Sequence, residues 1–156
     1  MELNYEPNNL VGEVVAINIR NSDEMTPGSY KDGIFKENYG LIGDKHSSPG
    51  ERQVTILSAE ARNRINTIEI DGLCVKRFYE NLTIKDLDTS KLIIGQVLII
   101  GEAFFQITGI GKRCFPECDF VKRSEACSLQ RGVIFAKVLS GGRVKVGEGV
   151  FKKKAN

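Results

Sequence analysis

The sequence predicts a mainly β protein, built as a closed or nearly closed antiparallel β-barrel with one or two short helices. Short runs of alternating apolar and polar residues recur along the chain, and this alternation is typical of half-buried strands. Turn residues separate these runs at short spacing, as they do in barrels. The segment after Ser58 has the best-supported signals of a helix, and Pro116 could open a second, short one. We expect a single domain over residues 1–156, with a frayed basic tail at about 150–156.

The first half of the chain contains two predicted strands and a long connection. Residues 11–20 and 53–57 are rich in Val and Ile and predict strands. Residues 21–51 hold two prolines, five glycines and many polar side chains, so we expect an irregular loop of the kind that often binds ligands. Ser58 is the expected N-cap of a helix that ends near residue 66.

The second half predicts strands joined by tight turns. Residues 92–100 are apolar on both sides of Gly95, which predicts a hairpin. Two further strands are predicted at 104–110 and 132–139. The glycine-rich turn at 140–143 should fold residues 144–146 back as the hairpin partner of the second of these strands.

Composition indicates a globular protein without a bias toward nucleic acid. Hydrophobic residues make up 41% and charged residues 27%, and the net charge is +2. A charge so nearly balanced gives no reason to expect nucleic-acid binding. The first residues are polar, and no apolar run approaches the roughly 20 residues of a membrane span. We therefore expect no membrane association and a cytoplasmic location, in which cysteines stay reduced.

Three of the four cysteines, Cys114, Cys118 and Cys127, lie close together in the last third of the chain. Lys112 and Arg113 precede the first of them, and cations beside a thiol favour the reactive thiolate. If residues 115–122 are helical, Cys114 and Cys118 share one face. Such a cluster suits a sulfur-carrying thiol with a resolving thiol, or two ligands of one metal.

Two other interpretations of the cysteines stay open. Free cysteine is often a small buried hydrophobe, which is the expectation for Cys74 and an alternative for Cys118 and Cys127. The second alternative is a non-catalytic binding or adaptor module in which the cluster holds a structural zinc ion. Its spacing differs from that of zinc ribbons, and the single histidine, His46, is distant in sequence.

Five segments, in this order, resemble the MOSC domain family, named for the C-terminal domain of molybdenum cofactor sulfurase. They are the strand 12–19, Gly40-Leu-Ile-Gly-Asp-Lys-His46, the strand 52–57, Glu80-Asn-Leu, and Ile94-Gly-Gln-Val-Leu-Ile-Ile-Gly. Cys114 falls where the family has its principal cysteine. The spacing to Cys118 resembles the small stand-alone bacterial branch, although Phe115 stands where that branch often has His.

The resemblance implies a β-barrel that binds molybdenum cofactor or delivers sulfur to it. Cys114 would carry the sulfur as a persulfide or ligate molybdenum directly, with Cys118 and Cys127 as resolving thiol or second ligand. An enzyme of this kind would be a sulfur transferase that works with a separate cysteine desulfurase. Pyridoxal phosphate would belong to that partner, and a molybdoenzyme or a cofactor-biosynthesis protein would receive the product.

The pterin phosphate of molybdenum cofactor (molybdopterin) requires cations and N–H donors. The candidates are Lys45, His46, Arg52, Lys112, Arg113 and Arg131. Ordinary surface positions are the alternative for these side chains. His46 could instead fix the long loop, and Asp44 could cap it. Glu80 and Asn81 are expected to satisfy backbone groups of the barrel.

Overall fold

The computed structural model describes residues 9–67, 78–111 and 132–153. The elements described within these ranges are eleven strands, an α-helix and a 3₁₀ turn at Thr89–Lys91. In chain order the elements are β1 (Leu10–Ile19), β2 (Gly28–Tyr30), β3 (Asp32–Lys36), β4 (Gly40–Leu41), β5 (Val54–Ser58), α1 (Ala59–Thr67), β6 (Leu82–Lys85), β7 (Val97–Ile100), β8 (Ala103–Ile110), β9 (Ile134–Ser140), β10 (Gly142–Lys145) and β11 (Gly149–Lys152). The predicted mainly β class is confirmed.

Seven of the strands close into a barrel in the order β1, β11, β7, β8, β9, β5, β6 and back to β1. β11 completes the circle because it pairs with β7 on one side and with β1 on the other. β5 and β6 run parallel, since α1 connects them as a βαβ unit, and the other neighbours in the circle are antiparallel. The predicted closed barrel is therefore confirmed, with one parallel pair that the sequence did not indicate.

A smaller sheet of β10, β3 and β4 completes the core of the barrel. Phe35 of β3 is fully buried and meets Phe105 of β8 edge to face, with ring centroids 5.0 Å apart. Leu41 and Val144 from the same sheet join this cluster. The large apolar side chains from both sheets fill the interior, so the barrel is a packed core.

Four predicted strands and the predicted helix are confirmed. The strands at 11–20, 53–57, 104–110 and 132–139 correspond to β1, β5, β8 and β9. Ser58 caps α1, because its Oγ accepts a hydrogen bond from the Ala61 N–H at 3.1 Å. In the described ranges, no helix has the length and apolar character that crossing a bilayer requires.

Two predictions about the segments that form the small sheet were wrong. Residues 21–51 are not irregular throughout, since β2, β3 and β4 form within them. The turn at 140–143 does not return the chain to β9, because β10 pairs with β3 instead. A Cβ on Gly142 would lie 2.6 Å from the carbonyl oxygen of Glu102. Glycine therefore lets the chain pass close beside the turn between β7 and β8.

Two further predictions about the second half were also wrong. Residues 92–96 form no strand, and the hairpin instead joins β7 to β8 through Gly101, whose φ of +57° favours glycine. The basic tail was expected to be frayed from about residue 150, yet Gly149–Lys152 is the strand β11 that closes the barrel. Residues 154–156 lie outside the described part of the chain.

Candidate functional site

An open cleft of about 750 Å³ lies on the outer face of the barrel, where β1 and β6 are neighbours. Ala16 and Thr83 are paired across these strands and line the cleft. The adjacent pair, Ile17 and Leu82, belongs to the core. Alternate residues of a strand point to opposite faces, so the cleft is separated from the core by the sheet itself.

Segments that are far apart in sequence form the walls of this cleft. They are parts of residues 20–29 after β1, residues 45–46 after β4, Arg62 of α1, and residues 78–80 before β6. The βαβ unit places α1 next to β6, which brings Arg62 opposite the end of β1. The cleft is thus assembled by the topology of the sheet.

Among the described residues that line the cleft, positive charge predominates, since they include Arg20, Lys45 and Arg62 but one carboxylate, that of Glu80. Arg62 is neutralised, because its Nε lies 3.1 and 3.2 Å from the two carboxylate oxygens of Glu80. Within the described ranges, Arg20 and Lys45 form no ion pair with a carboxylate. These two cations, which have no ion-pair partner among the described residues, make the cleft suitable for an anionic ligand.

Glu80 holds the Arg62 side chain in place. Its side chain is 2% exposed, and its Oε2 also accepts a hydrogen bond from the Thr83 hydroxyl at 2.7 Å. The carbonyl oxygen of Glu80 accepts a further bond from Asn18 Nδ2 at 3.0 Å. On the other side, the Arg62 guanidinium lies 5.9 Å from the ring centroid of Phe78. These contacts position a cation on the cleft wall.

Asp44 fixes the loop that carries Lys45 and His46. Its carboxylate is buried and accepts hydrogen bonds from the backbone N–H groups of Arg20 at 3.0 Å and His46 at 3.3 Å. The Lys45 N–H also donates to the carbonyl oxygen of Arg20 at 2.8 Å. The expected capping role of Asp44 is confirmed, and it joins the loop to the end of β1.

The Tyr79 hydroxyl connects the side chains of Asp44 and His46. Its hydroxyl lies 2.8 Å from Asp44 Oδ1 and 3.0 Å from His46 Nδ1. The two rings are stacked, with centroids 5.4 Å apart and an angle of 24° between their planes. Burial, followed by the hydrogen bond to Asp44, raises the pKa of Tyr79 above its ordinary value. The hydroxyl therefore keeps its proton at neutral pH.

The bracing role expected of Asn81 is confirmed, whereas that of Glu80 differs from the prediction. Asn81 Oδ1 accepts from the Thr55 N–H at 3.0 Å, and its Nδ2 donates to the carbonyl oxygen of Asn18 at 3.3 Å. This amide links three strand segments of the barrel. The carboxylate of Glu80 instead binds the side chains of Arg62 and Thr83.

Two of the candidate ligand-binding residues, Lys45 and His46, lie together in the cleft. Arg52 lies elsewhere, with its guanidinium carbon 4.3 Å from the ring centroid of Phe135 on β9. The other candidates lie outside the described residues, and their roles stay predictions. They are Cys114, Cys118, Cys127, Lys112, Arg113 and Arg131. Cys74 also lies outside the described residues, so its predicted place in the core stays a prediction.

Three residues of the cleft, Arg20, Arg62 and Tyr79, were missed by the sequence reasoning. Arg20 follows β1 two positions after Asn18, so the two-residue period of a strand could have placed both on one face. Arg62 and Tyr79 reach the cleft only because β5 and β6 pair in parallel. No local pattern in the sequence indicates that pairing.

Metal ligands are not grouped in the described part of the chain. There, no set of three or more His, Cys, Asp or Glu side chains could hold a metal ion. The zinc hypothesis concerns Cys114, Cys118 and Cys127, so it stays a prediction.

Comparison with known proteins supports the fold and gives a family. The family model of the MOSC domain matches residues 42–151. The YuaD protein from Bacillus subtilis has a similar structure, with a TM-score of 0.66 and 17% identity over 92% of this chain and 97% of that one. YiiM from Escherichia coli gives a TM-score of 0.57 and 16% identity over 92% of this chain and 71% of that one. No curated protein matches the sequence.

Proposed function

Because the chain belongs to the MOSC domain family, we propose that it binds molybdenum cofactor or a precursor and acts on it through Cys114. The observation that supports the proposal is the cleft, in which Arg20 and Lys45 lie beside His46 and form no ion pair with the described residues. Cys114 would either carry sulfur to the cofactor or ligate its metal. The proposal requires reduced cysteines, which a cytoplasmic location would supply.

The chemistry of the cleft fits the organic part of this cofactor. Its volume of about 750 Å³ lies within the range of small-molecule sites. Arg20 and Lys45 would bind the pterin phosphate, since charge-assisted hydrogen bonds to phosphate are among the strong ones. The cofactor, when bound, supplies the molybdenum centre, which favours a soft thiolate ligand such as that of Cys114.

In the sulfur-carrier form of the proposal, a cysteine desulfurase with its own pyridoxal phosphate supplies the sulfur. The Cys114 thiolate attacks the terminal sulfur of the desulfurase persulfide, and the desulfurase cysteine leaves as a thiolate. Cys118 or Cys127, as the resolving thiol, would then attack the inner sulfur on Cys114, so that a disulfide forms and hydrosulfide leaves for the acceptor; a cytoplasmic thiol reductant would restore both thiols. A molybdoenzyme or a cofactor-biosynthesis protein would accept the sulfur.

The carrier role is tested by mass spectrometry after incubation with a cysteine desulfurase and cysteine. We expect one added sulfur atom on Cys114, removable by a thiol reductant, and none in Cys114→Ser. Cys74→Ser is the matched control and should load normally. Sulfur loading that persists in Cys114→Ser would contradict the assignment. One zinc ion per chain in an unloaded sample would instead favour the adaptor module.

The role of the cleft is tested separately by direct binding of molybdenum cofactor released from a molybdoenzyme. We expect Lys45→Gln to weaken binding by about threefold to tenfold, the range for one charged contact that is partly solvated. Lys36→Gln removes an exposed lysine outside the cleft lining and is the matched control. Equal affinities for the two variants would show that the cofactor does not bind at Lys45.

A further inference from the structure

We infer that Asp44 and Tyr79 hold His46 in the tautomer with its proton on Nδ1, so that Nε2 serves as a hydrogen-bond acceptor for the ligand in the cleft. Tyr79 is thus a positioning residue that acts through His46. The ligand would present an N–H or O–H donor close to its anionic group. This statement about the ligand rests on the proposed function, whereas the tautomer follows from the protein alone.

The direction of the hydrogen bonds is set at Asp44. Both of its oxygens already face donors, because the Arg20 N–H bonds to Oδ1 and the His46 N–H bonds to Oδ2. A backbone N–H can only donate, and an ionised carboxylate can only accept. The Tyr79 hydroxyl, 2.8 Å from Oδ1, therefore directs its single hydrogen toward Asp44.

The tautomer of His46 follows from the direction of that bond. With its hydrogen on the Asp44 side, the Tyr79 oxygen offers only lone pairs to Nδ1, which lies 3.0 Å away. Nδ1 must then carry a hydrogen and donate it to Tyr79. If the Tyr79 hydroxyl donated to Nδ1 instead, no hydrogen would lie between the Tyr79 and Asp44 oxygens, which are 2.8 Å apart. Two acceptors would then face each other.

The second ring nitrogen of His46 is left for a ligand. In a neutral imidazole that is protonated on Nδ1, Nε2 is an acceptor. His46 lines the cleft, and Nε2 has no hydrogen-bond partner among the residues that the structure describes. Stacking against Tyr79 restricts the rotation of the ring. The cleft therefore combines one oriented acceptor with the cations of Arg20 and Lys45.

The acceptor on His46, together with the two cations, restricts the class of ligand that the cleft should bind. Arg20 and Lys45 alone would accept phosphates and carboxylates of many kinds, because both cations attract the anionic group and not the rest of the ligand. An acceptor at a fixed position adds a requirement for a donor at the matching distance, and an unmatched polar group in a site reduces affinity. The cleft should thus prefer an anion linked to a ring or chain with N–H or O–H groups over inorganic phosphate.

The tautomer can be measured directly, because His46 is the single histidine of the chain. Protein labelled with ¹⁵N-histidine is examined by long-range ¹H–¹⁵N correlation at a pH at which the ring is neutral. We expect Nδ1 to give the signal of a protonated nitrogen and Nε2 that of an unprotonated one. A predominant Nε2–H tautomer in the wild type would overturn the inference without any reference to the cofactor.

Tyr79→Phe tests the positioning role with the same spectrum. Loss of the hydroxyl should move the tautomer ratio toward Nε2–H by about fivefold, the factor that one net hydrogen bond contributes to an equilibrium constant. Tyr39→Phe is the control, since Tyr39 lies outside the cleft lining, and its spectrum should match the wild type. An unchanged ratio in Tyr79→Phe would overturn the positioning role.

The ligand contact is tested by adding released molybdenum cofactor to the labelled wild type and, in parallel, inorganic phosphate. We expect the cofactor to shift the Nε2 resonance toward that of a hydrogen-bonded nitrogen, and phosphate to shift it less. Cofactor that binds without moving Nε2 would overturn the ligand contact. Cofactor that fails to bind would contradict the proposed function and the ligand contact, while the tautomer measured without ligand would stand.

Discussion

Replacing either partner of the Arg62–Glu80 ion pair should destabilise the protein, and the loss of Arg62 should cost more. Methionine is a suitable replacement for both, because it is uncharged and keeps an unbranched side chain. Arg62→Met leaves the Glu80 carboxylate, 2% exposed, with the Thr83 hydroxyl as its remaining side-chain partner in the described residues. Glu80→Met leaves the Arg62 guanidinium, whose side chain is 22% exposed and can turn toward water.

The difference in burial sets the expected magnitudes. An unpaired charge in the interior costs about 3–5 kcal/mol, so we expect about 4 kcal/mol for Arg62→Met. A charged group that can regain water costs less, about 1–3 kcal/mol, so we expect about 2 kcal/mol for Glu80→Met. For a chain of this size, each kcal/mol lowers Tm by roughly 2–4 °C. The two variants should therefore differ in Tm by about 4–8 °C.

Urea unfolding at neutral pH, followed by circular dichroism, measures the free energies of unfolding. The double variant Arg62→Met/Glu80→Met is the decisive comparison, because it removes both charges and leaves neither unpaired. It should be more stable than Arg62→Met alone, since apolar pairs often replace buried ion pairs at little cost. A double variant less stable than Arg62→Met, or a Glu80→Met variant as unstable as Arg62→Met, would refute this reasoning.

Two further predictions concern backbone spacing and alkaline stability. Gly142→Ala should lower the free energy of unfolding in urea by about 1–3 kcal/mol, because the new Cβ would lie 2.6 Å from Glu102. In the control Gly109→Ala the nearest atom would lie at 3.5 Å, so its free energy of unfolding should stay within about 1 kcal/mol of the wild type. Equal losses would contradict this. The raised pKa of Tyr79 means that folded protein holds this proton more tightly than unfolded protein. The wild type should thus lose stability as pH rises above about 10, and Tyr79→Phe should lose less over that range; equal losses would show that Tyr79 does not contribute.

Local signals were sufficient for much of the fold. Alternating runs located β1 and β8, further runs read as strands located β5 and β9, and Ser58 marked the start of α1. The pairing of β10 with β3 could not be read in the same way, since a glycine pair is as compatible with a hairpin as with the close crossing near Glu102. That choice depends on Phe35 and Val144, which reach the core only when their strands pair with each other.

The candidate site was harder to predict than the fold because it is not local. Lys45 and His46 were found from one continuous segment that also contains Asp44. The parallel pairing of β5 with β6 brings Tyr79 and Arg62 to the same cleft. There Tyr79 bonds to His46, and Arg62 pairs with Glu80. Sequence reasoning found the polar groups of one loop, but not the partners that set their charge balance and hydrogen-bond direction.

The proposed ligand site lies apart from the packed interior of the barrel. Phe35, Phe105 and the surrounding aliphatic side chains pack against one another in the interior, in the part of the chain that the structure describes. Structures only 16–17% identical share this fold, and a fold by itself does not specify a reaction. The proposed function therefore rests on side chains of the outer-face cleft and not on the barrel fold itself. Lys45→Gln and Tyr79→Phe can be tested for ligand affinity and for the free energy of unfolding. If the affinity changes and the free energy of unfolding changes little, then ligand binding depends on the cleft independently of the core.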